Sequence, residues 1–403
     1  DVYKRQPLTP NRKVDRSALP KLDTGRLHLE TSYSPPTSET EIALTKIWCD
    51  LLKVDQVGIR DDFFELGGHS LLAVRLFSRI EENFGVTLPL TSLFEEATIQ
   101  SLARLIDEQT IPAGWSSLVT LQPNLKQDNP NFYGVHGLTG DVYWFESLAR
   151  HIGPEQPFYG LQSRGLDGIQ EPLSTFEEMA ALYVAEIRDL QPDGPYYIGG
   201  YSLGANVAYE MAQQIQQQGQ EVALLALIDH MPANSDYFEF QWNLASIRNL
   251  LRNLPYRLQD FFLLSPGDMA ARVQKKIRGV QKRMQRNQQG KGKEEQLQPQ
   301  IGDLIDNPEL FPTQTHRVIT SNYQAWQTYH PQRYAGHRTL LRARGGRLFC
   351  SPDPEMGWGK LTDDGVTVHE IPGSHLRIFQ EPYVQDLART LRLSIELAQA
   401  EYD

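Results

Sequence analysis

At 403 residues the chain exceeds the usual span of one compact domain, which predicts two or more folded units with room for buried cores. Its formal net charge of −11, from 39 Lys and Arg against 50 Asp and Glu, excludes a general nucleic-acid binder, since phosphate neutralisation needs a surplus of cations. Only Cys49 and Cys350 occur, far apart and outside any CxxC, so neither a disulfide framework nor a thiolate metal site is expected. No run of about 18 apolar residues is present. Asp1 to Gln6 lack the basic start and apolar stretch of a secretory signal, so a soluble, cytoplasmic protein without a membrane partner is expected.

The first 30 or so residues are basic and punctuated by Pro7, Pro10 and Pro20, and read as a tail without a core of its own. Beyond the turn-rich Ser34-Pro35-Pro36-Thr37-Ser38, residues 36–109 predict a small bundle of three or four helices. Glu39 to Lys53 places Ile42, Ile47, Leu51 and Leu52 near helical spacing, and Ser38 with Glu41 forms a capping box. Ser70 to Phe84 puts Leu72, Leu76, Ile80 and Phe84 four apart on one helix face, and Gly85 stops it. A further helix is expected over Ile99 to Ile106, after the loop at Pro89, and Ile111-Pro112-Ala113-Gly114 reads as a linker.

From Ser117 onward strands and helices alternate, which predicts a mostly parallel sheet covered on both faces. Short apolar strands are expected at Phe132–Val135, Phe158–Leu161, Tyr196–Ile198, Val222–Ile228, Arg338–Arg342 and Val366–Ile371. Helices are expected at Thr175–Leu190, with Phe176, Met179, Ala180, Tyr183 and Ile187 in register, and at Ala205–Gln217. Between about Ala233 and Thr328 the strand rhythm is lost, leaving helical stretches around a polar segment from Arg272 to Gln298.

Two serines carry the chemistry. Ser202 lies in Gly200-Tyr201-Ser202-Leu203-Gly204, between an apolar strand and a helix, the context in which a GxSxG serine is held exposed on a sharp turn as a nucleophile. The backbone N–H of Leu203 can then stabilise an oxyanion, with a second donor expected from Val135-His136-Gly137-Leu138-Thr139-Gly140, at Leu138. A base and an orienting acid should follow in the order serine, acid, histidine. His375, on the loop after the last strand, suits the base better than His369 within that strand or His330 in a helix-to-strand loop. Asp229, ending the strand Leu224 to Ile228, and Asp353, in Cys350-Ser351-Pro352-Asp353-Pro354, are both candidates for the acid; Asp is equally at home in turns and caps. Ser70, in Leu66-Gly67-Gly68-His69-Ser70-Leu71, opens a helix beside two glycines, where it is accessible and where the helix N-terminus favours an attached phosphate. The ordinary alternative is an N-cap serine.

Together these motifs resemble the C-terminal part of a non-ribosomal peptide synthetase over nearly the whole chain. Pro7-Leu8-Thr9-Pro10-Asn11-Arg12-Lys13-Val14-Asp15-Arg16 resembles the last motif of an adenylation domain, with Lys13 in place of its lysine and Arg12 where Gly is usual; this assigns residues 1–33 to a domain tail and linker. Residues 36–109 resemble a peptidyl carrier domain, which implies 4'-phosphopantetheine on Ser70. Arg75 and Arg79 on the Ser70 helix could meet a partner, although such charges are usually only solvated. Residues 117–403 resemble the fused thioesterase of these synthetases, an α/β-hydrolase with a helical lid over about 233–328. In that family the acid follows the strand after the nucleophile helix, which favours Asp229 over Asp353. The basic run Arg272 to Lys293 reads as a solvated loop, with carrier docking as the alternative. The resemblance implies a Ser202–His375–Asp229 thioesterase without a metal. It implies as partners a phosphopantetheinyl transferase, upstream condensation and adenylation domains and an acyl or peptidyl thioester. Release would be by hydrolysis or by ring closure. A stand-alone esterase leaves Ser70 unexplained, a proofreading hydrolase is usually free-standing, and an inactive carrier scaffold does not account for three triad residues in order.

Overall fold

The computed structural model describes residues 33–68, 70–86, 88, 92–95, 97–108, 115–124, 129–235, 237, 244, 246–248, 251–255, 311–346, 350–362 and 364–401. Lys13, the basic run from Arg272 to Lys293 and most of the segment read as a lid lie outside them. The described residues divide into two compact units, one within Asp1–Val86 and Ser92–Thr110, the other within Thr87–Thr91 and Ile111–Asp403.

The first unit is built from α1 (Glu39–Leu52), α2 (Ser70–Phe84), α3 (Ser92–Glu95) and α4 (Ile99–Glu108). Helix α1 starts at the Ser38 and Glu41 capping box: the Ser38 hydroxyl accepts from the Glu41 N–H, and the Glu41 carboxylate accepts from the Ser38 N–H at 3.0 Å. Its buried face is Leu44, Ile47 and Trp48, whereas Ile42, expected on that face, is 54% exposed. Positions 44, 47, 48 and 51 follow the i, i+3, i+4, i+7 rule that position 42 breaks. Leu76 and Ile80 of α2, Ile99 and Leu102 of α4, and Phe63 from the connecting loop complete the core.

Phe63 explains the two glycines ahead of Ser70. Its ring meets Trp48 edge-on at 5.0 Å, and its carbonyl accepts from the Gly68 N–H at 2.8 Å. A Cβ on Gly68 would lie 2.3 Å from that ring, and Gly67 takes φ +92°. Only glycine allows the chain to fold beneath Phe63 and then enter α2.

The second unit is a seven-stranded sheet in the order β1-β3-β2-β4-β5-β6-β7, with β1 (Leu118–Gln122), β2 (Phe132–Val135), β3 (Phe158–Leu161), β4 (Tyr196–Tyr201), β5 (Val222–Ile228), β6 (Arg338–Gly345) and β7 (Val366–Ser374). All neighbouring pairs are parallel except β1 with β3. Helices flanking it include α5 (Trp144–Ile152), α6 (Phe176–Leu190), α7 (Gly204–Gln217), α8 (Thr313–Thr328) and α9 (Tyr383–Ala400). Helix α6 packs with α7 and α5 with α9, giving the paired cover a parallel sheet needs. Strands β2 and β4 are buried along their whole length, and Tyr133, Ile198 and Leu225 join Tyr183, Tyr209 and Met211 in the core. Each such aliphatic side chain contributes about 1.5–3 kcal/mol by burial.

Strands β4, β6 and β7 run three residues beyond their expected ends. Gly199 and Gly200 have little strand preference, yet they pair in register with Ala226 and Leu227. Edge strand β1 has no counterpart among the expected strands, because its identity comes from distant partners: pairing with β3, and the Glu186 carboxylate of α6, which accepts from the Ser117 and Leu118 N–H groups at 3.1 and 2.7 Å. Helices α5 and α9 were also not foreseen; neither has a side-chain cap at its start. The end of the segment read as a lid is α8, whose Val318, Ile319, Asn322 and Ala325 are fully buried. Among the described residues no helix is long and apolar enough to cross a membrane.

Gly68→Ala is expected to destabilise the first unit by about 1–3 kcal/mol through overpacking against Phe63. Chemical denaturation of the full chain tests this, with the loss confined to the transition of that unit.

Candidate active site

Ser202, Asp229 and His375 lie at or just beyond the carboxyl ends of three parallel strands, β4, β5 and β7, where a doubly wound sheet gathers loops from different parts of the sequence. Ser202 takes φ +54°, a left-handed conformation that a side chain resists. Its N–H donates to the Ile228 carbonyl at 3.0 Å, and Ala205 N–H donates back to its own carbonyl at 2.9 Å, so the reversal is held from both sides. The flanking glycines permit the turn by close approach. A Cβ on Gly200 would sit 2.0 Å from the Gly204 carbonyl oxygen, and one on Gly204 would sit 2.0 Å from that of His136. Larger residues would push α7 off the end of β2.

The His375 Nδ1 lies 2.8 Å from Asp229 Oδ2, and its Nε2 lies 3.1 Å from Ser202 Oγ. A carboxylate can only accept, so Nδ1 carries the proton, and Nε2 is left to accept from the serine hydroxyl. Asp229 is itself fixed: its N–H donates to Leu341 O at 2.9 Å, and its Oδ1 accepts from Ala343 N–H at 2.8 Å. It also takes a left-handed φ of +51° and is buried. Asp353, the other acid candidate, caps a turn instead, with its carboxylate accepting from the Glu355 and Gly357 N–H groups at 3.0 and 2.8 Å. His369 sits inside β7 opposite Leu341, and His330 is exposed beside Asn234. Neither joins the group.

Leu203 is the N-cap residue of α7, and Leu138 lies in the loop after β2. Neither backbone N–H has an acceptor among the described residues. The Leu138 carbonyl accepts from Asn322 Nδ2 of α8 at 3.1 Å. One residue before Gly137, His136 is fully buried, with Nδ1 2.6 Å from Gly137 O and Nε2 2.8 Å from the Tyr183 hydroxyl. The first contact requires a donor, so His136 is the neutral Nδ1–H tautomer, and burial pushes it down to about 4. Asp141 follows in the same loop, and burial raises its carboxyl.

Three neighbours of the site carry no assignment from the sequence: Tyr201, against His375; Asn322, on the loop after β2; and His136. Only Tyr201 left a signal, as the aromatic residue beside Ser202. Asn322 follows Ser202 by 120 residues, at no motif spacing.

In the other unit, Ser70 is the first residue of α2, and the first turn of that helix holds no acidic side chain. With Gly67 in a left-handed turn and Gly68 folded beneath Phe63, a helix N-terminus of this kind fits a serine-linked phosphodiester. Arg79 pairs with Asp50 at 3.7 Å, with both side chains solvent-exposed. No group of His, Cys, Asp and Glu among the described residues could hold a metal.

Residues 132–394 match the family model described as Thioesterase domain, and residues 43–106 match that described as Phosphopantetheine attachment site. The chain belongs to the thioesterase domain family, and it carries a phosphopantetheine attachment segment ahead of that domain. It is 32% identical over 403 residues to chondramide synthase of Chondromyces crocatus, covering 97% of this chain and 10% of the relative. Over 231 residues it is 42% identical to the dimodular nonribosomal peptide synthase of Bacillus subtilis, covering 57% of this chain and 10% of that one. It thus spans a tenth of the length of these curated relatives. A solved four-domain nonribosomal peptide synthetase, in its holo form with AMP and glycine, is similar over 96% of this chain and 28% of its own, at TM-score 0.52 and 28% identity.

The His136 shift sets the sign of one pH effect. Because the folded value lies below the ordinary 6.5, the unfolded chain takes up a proton first, and stability is lost as pH falls from 6.5 towards 4. The loss reaches about 2 kcal/mol by pH 5. Asp141 works in the opposite direction, so the comparison is between the parent and His136→Asn: denaturant midpoints at pH 7.5 and pH 5 should differ less in the variant.

Proposed function

We propose that this chain is the release end of a non-ribosomal peptide synthetase, in which Ser202 takes an acyl or peptidyl chain delivered from Ser70 and discharges it. The observation that carries this reading is the Asp229–His375–Ser202 hydrogen-bonded series, present in the same chain as a carrier segment. Ser70 would hold 4'-phosphopantetheine, which supplies a thiol on a long arm to carry the chain as a thioester. A phosphopantetheinyl transferase would modify Ser70, and upstream adenylation and condensation domains would build the acyl chain.

Ser202 Oγ attacks the acyl carbonyl carbon while its proton passes to His375 Nε2. The resulting imidazolium is stabilised by Asp229 through the Nδ1–H bond. The carbonyl oxygen, now an anion, is held by the Leu203 and Leu138 N–H groups. Collapse breaks the carbon–sulfur bond, the thiol takes the proton from His375, and an ester on Ser202 remains. In the second half His375 removes a proton from water, or from an amine or hydroxyl of the acyl chain itself. The attack breaks the ester C–Oγ bond, Ser202 Oγ takes the proton back from His375, and an acid or a ring is released. Because carrier and thioesterase share one chain, a high local concentration replaces tight binding.

Intact-protein mass spectrometry tests both serines after incubation with a phosphopantetheinyl transferase and an acyl-coenzyme A. The parent should gain the arm at Ser70 and lose the acyl group. Ser202→Ala should gain the arm and keep the acyl group, with release slowed by more than about a thousandfold. Ser70→Ala should gain nothing. Parental release by Ser202→Ala would overturn the mechanism.

A further inference from the structure

The residue before the nucleophile makes contacts that the triad mechanism does not use. Tyr201 ends β4, is 4% exposed, and donates its hydroxyl proton to the backbone carbonyl of His375 at 2.7 Å. Its ring stacks on the His375 imidazole, with centroids 5.0 Å apart and planes 25° from parallel. The other ring edge lies 3.2 Å from where a Cβ of Gly137 would stand, so the same side chain supports the oxyanion loop. Phe379 packs edge-on against the ring at 4.7 Å and keeps it in place. Burial first, and then the nearby Asp229 carboxylate, raise the phenol far above its ordinary value, so the hydroxyl remains a donor across the working range.

We infer that Tyr201 is a positioning residue for the release reaction, one that pins the His375 loop through its hydroxyl and favours the imidazolium through its ring. The inference rests on His375 being the base. The His375 loop follows β7 and includes the exposed Leu376. Apart from the Tyr201 bond, its backbone is held by local turn bonds, from Arg377 and Ile378 to Ser374 and from Gln380 to Arg377. The Tyr201 hydroxyl ties it to the strand that carries the nucleophile, so serine and base keep one separation. Cation charge over an aromatic face is favourable, so a stacked tyrosine also supports the charged form that His375 takes in each half-reaction.

The two contributions separate in two variants. Tyr201→Phe keeps the ring and loses the bond, whereas Tyr201→Leu loses both. The test is the second-order rate of Ser202 labelling by an alkyl fluorophosphonate in the full chain as a function of pH, with His375→Ala as a reference. Tyr201→Phe should react about three- to tenfold more slowly, with the acid limb of its profile unmoved. Tyr201→Leu should lose more, and its acid limb should move down by about half a pH unit. The position of that limb does not depend on how much of the variant is folded. Parental rates and parental profiles in both variants, with labelling abolished in His375→Ala, would overturn the role of Tyr201 alone. Parental labelling of His375→Ala would overturn the assignment of the base, and this inference with it.

Discussion

The site depends on a backbone reversal that most side chains resist. Ser202 and Asp229 both sit at φ near +50°, immediately after neighbouring parallel strands, and each is held there by a bond to the adjacent strand: Ser202 N–H to Ile228 O, Asp229 N–H to Leu341 O. The strain is sustained by the sheet beneath, where β4 and β5 pair in register and are largely buried. Relaxing either turn would carry its side chain away from His375. The strictness at Gly200 and Gly204 has the same origin, because the reversal brings the start of α7 against the end of β2 with no room for a Cβ.

The electrostatics follow from which groups are buried and which are paired. His136 is the most deeply buried histidine near the site, but its nitrogens are committed to Gly137 and Tyr183, and its environment keeps it neutral. His375 is placed differently. It is partly open to solvent on one side, bonded to a carboxylate at Nδ1, and faces a hydroxyl at Nε2. Two histidines of one chain are thus placed differently: one is a fixed part of the loop, and the other bridges a carboxylate and a hydroxyl.

Local chemistry was legible in the sequence, and long-range chemistry was not. The capping box at Ser38 and Glu41, the helix after Ser202 and the short apolar strands all follow from residues within a few positions of one another. Ile42 misled because two apolar faces compete in α1, and the one containing Trp48 buries more surface. Asp229 and Asp353 could not be separated by the residues alone, since both end or follow strands. Their difference lies in Ala343 N–H and His375, which reach Asp229 from 114 and 146 residues away. Asn322 and strand β1 were invisible for the same reason, as their partners come from distant elements.

Rapid-quench proteolysis of the acyl-loaded chain, with mass analysis of the Ser202 peptide through the first turnover, tests the transfer from carrier to hydrolase most directly. The acyl group should appear on Ser202 as it leaves Ser70 and then decay as product forms. Departure of the acyl group from Ser70 with no ester at Ser202, or with an ester at another residue, would contradict the mechanism.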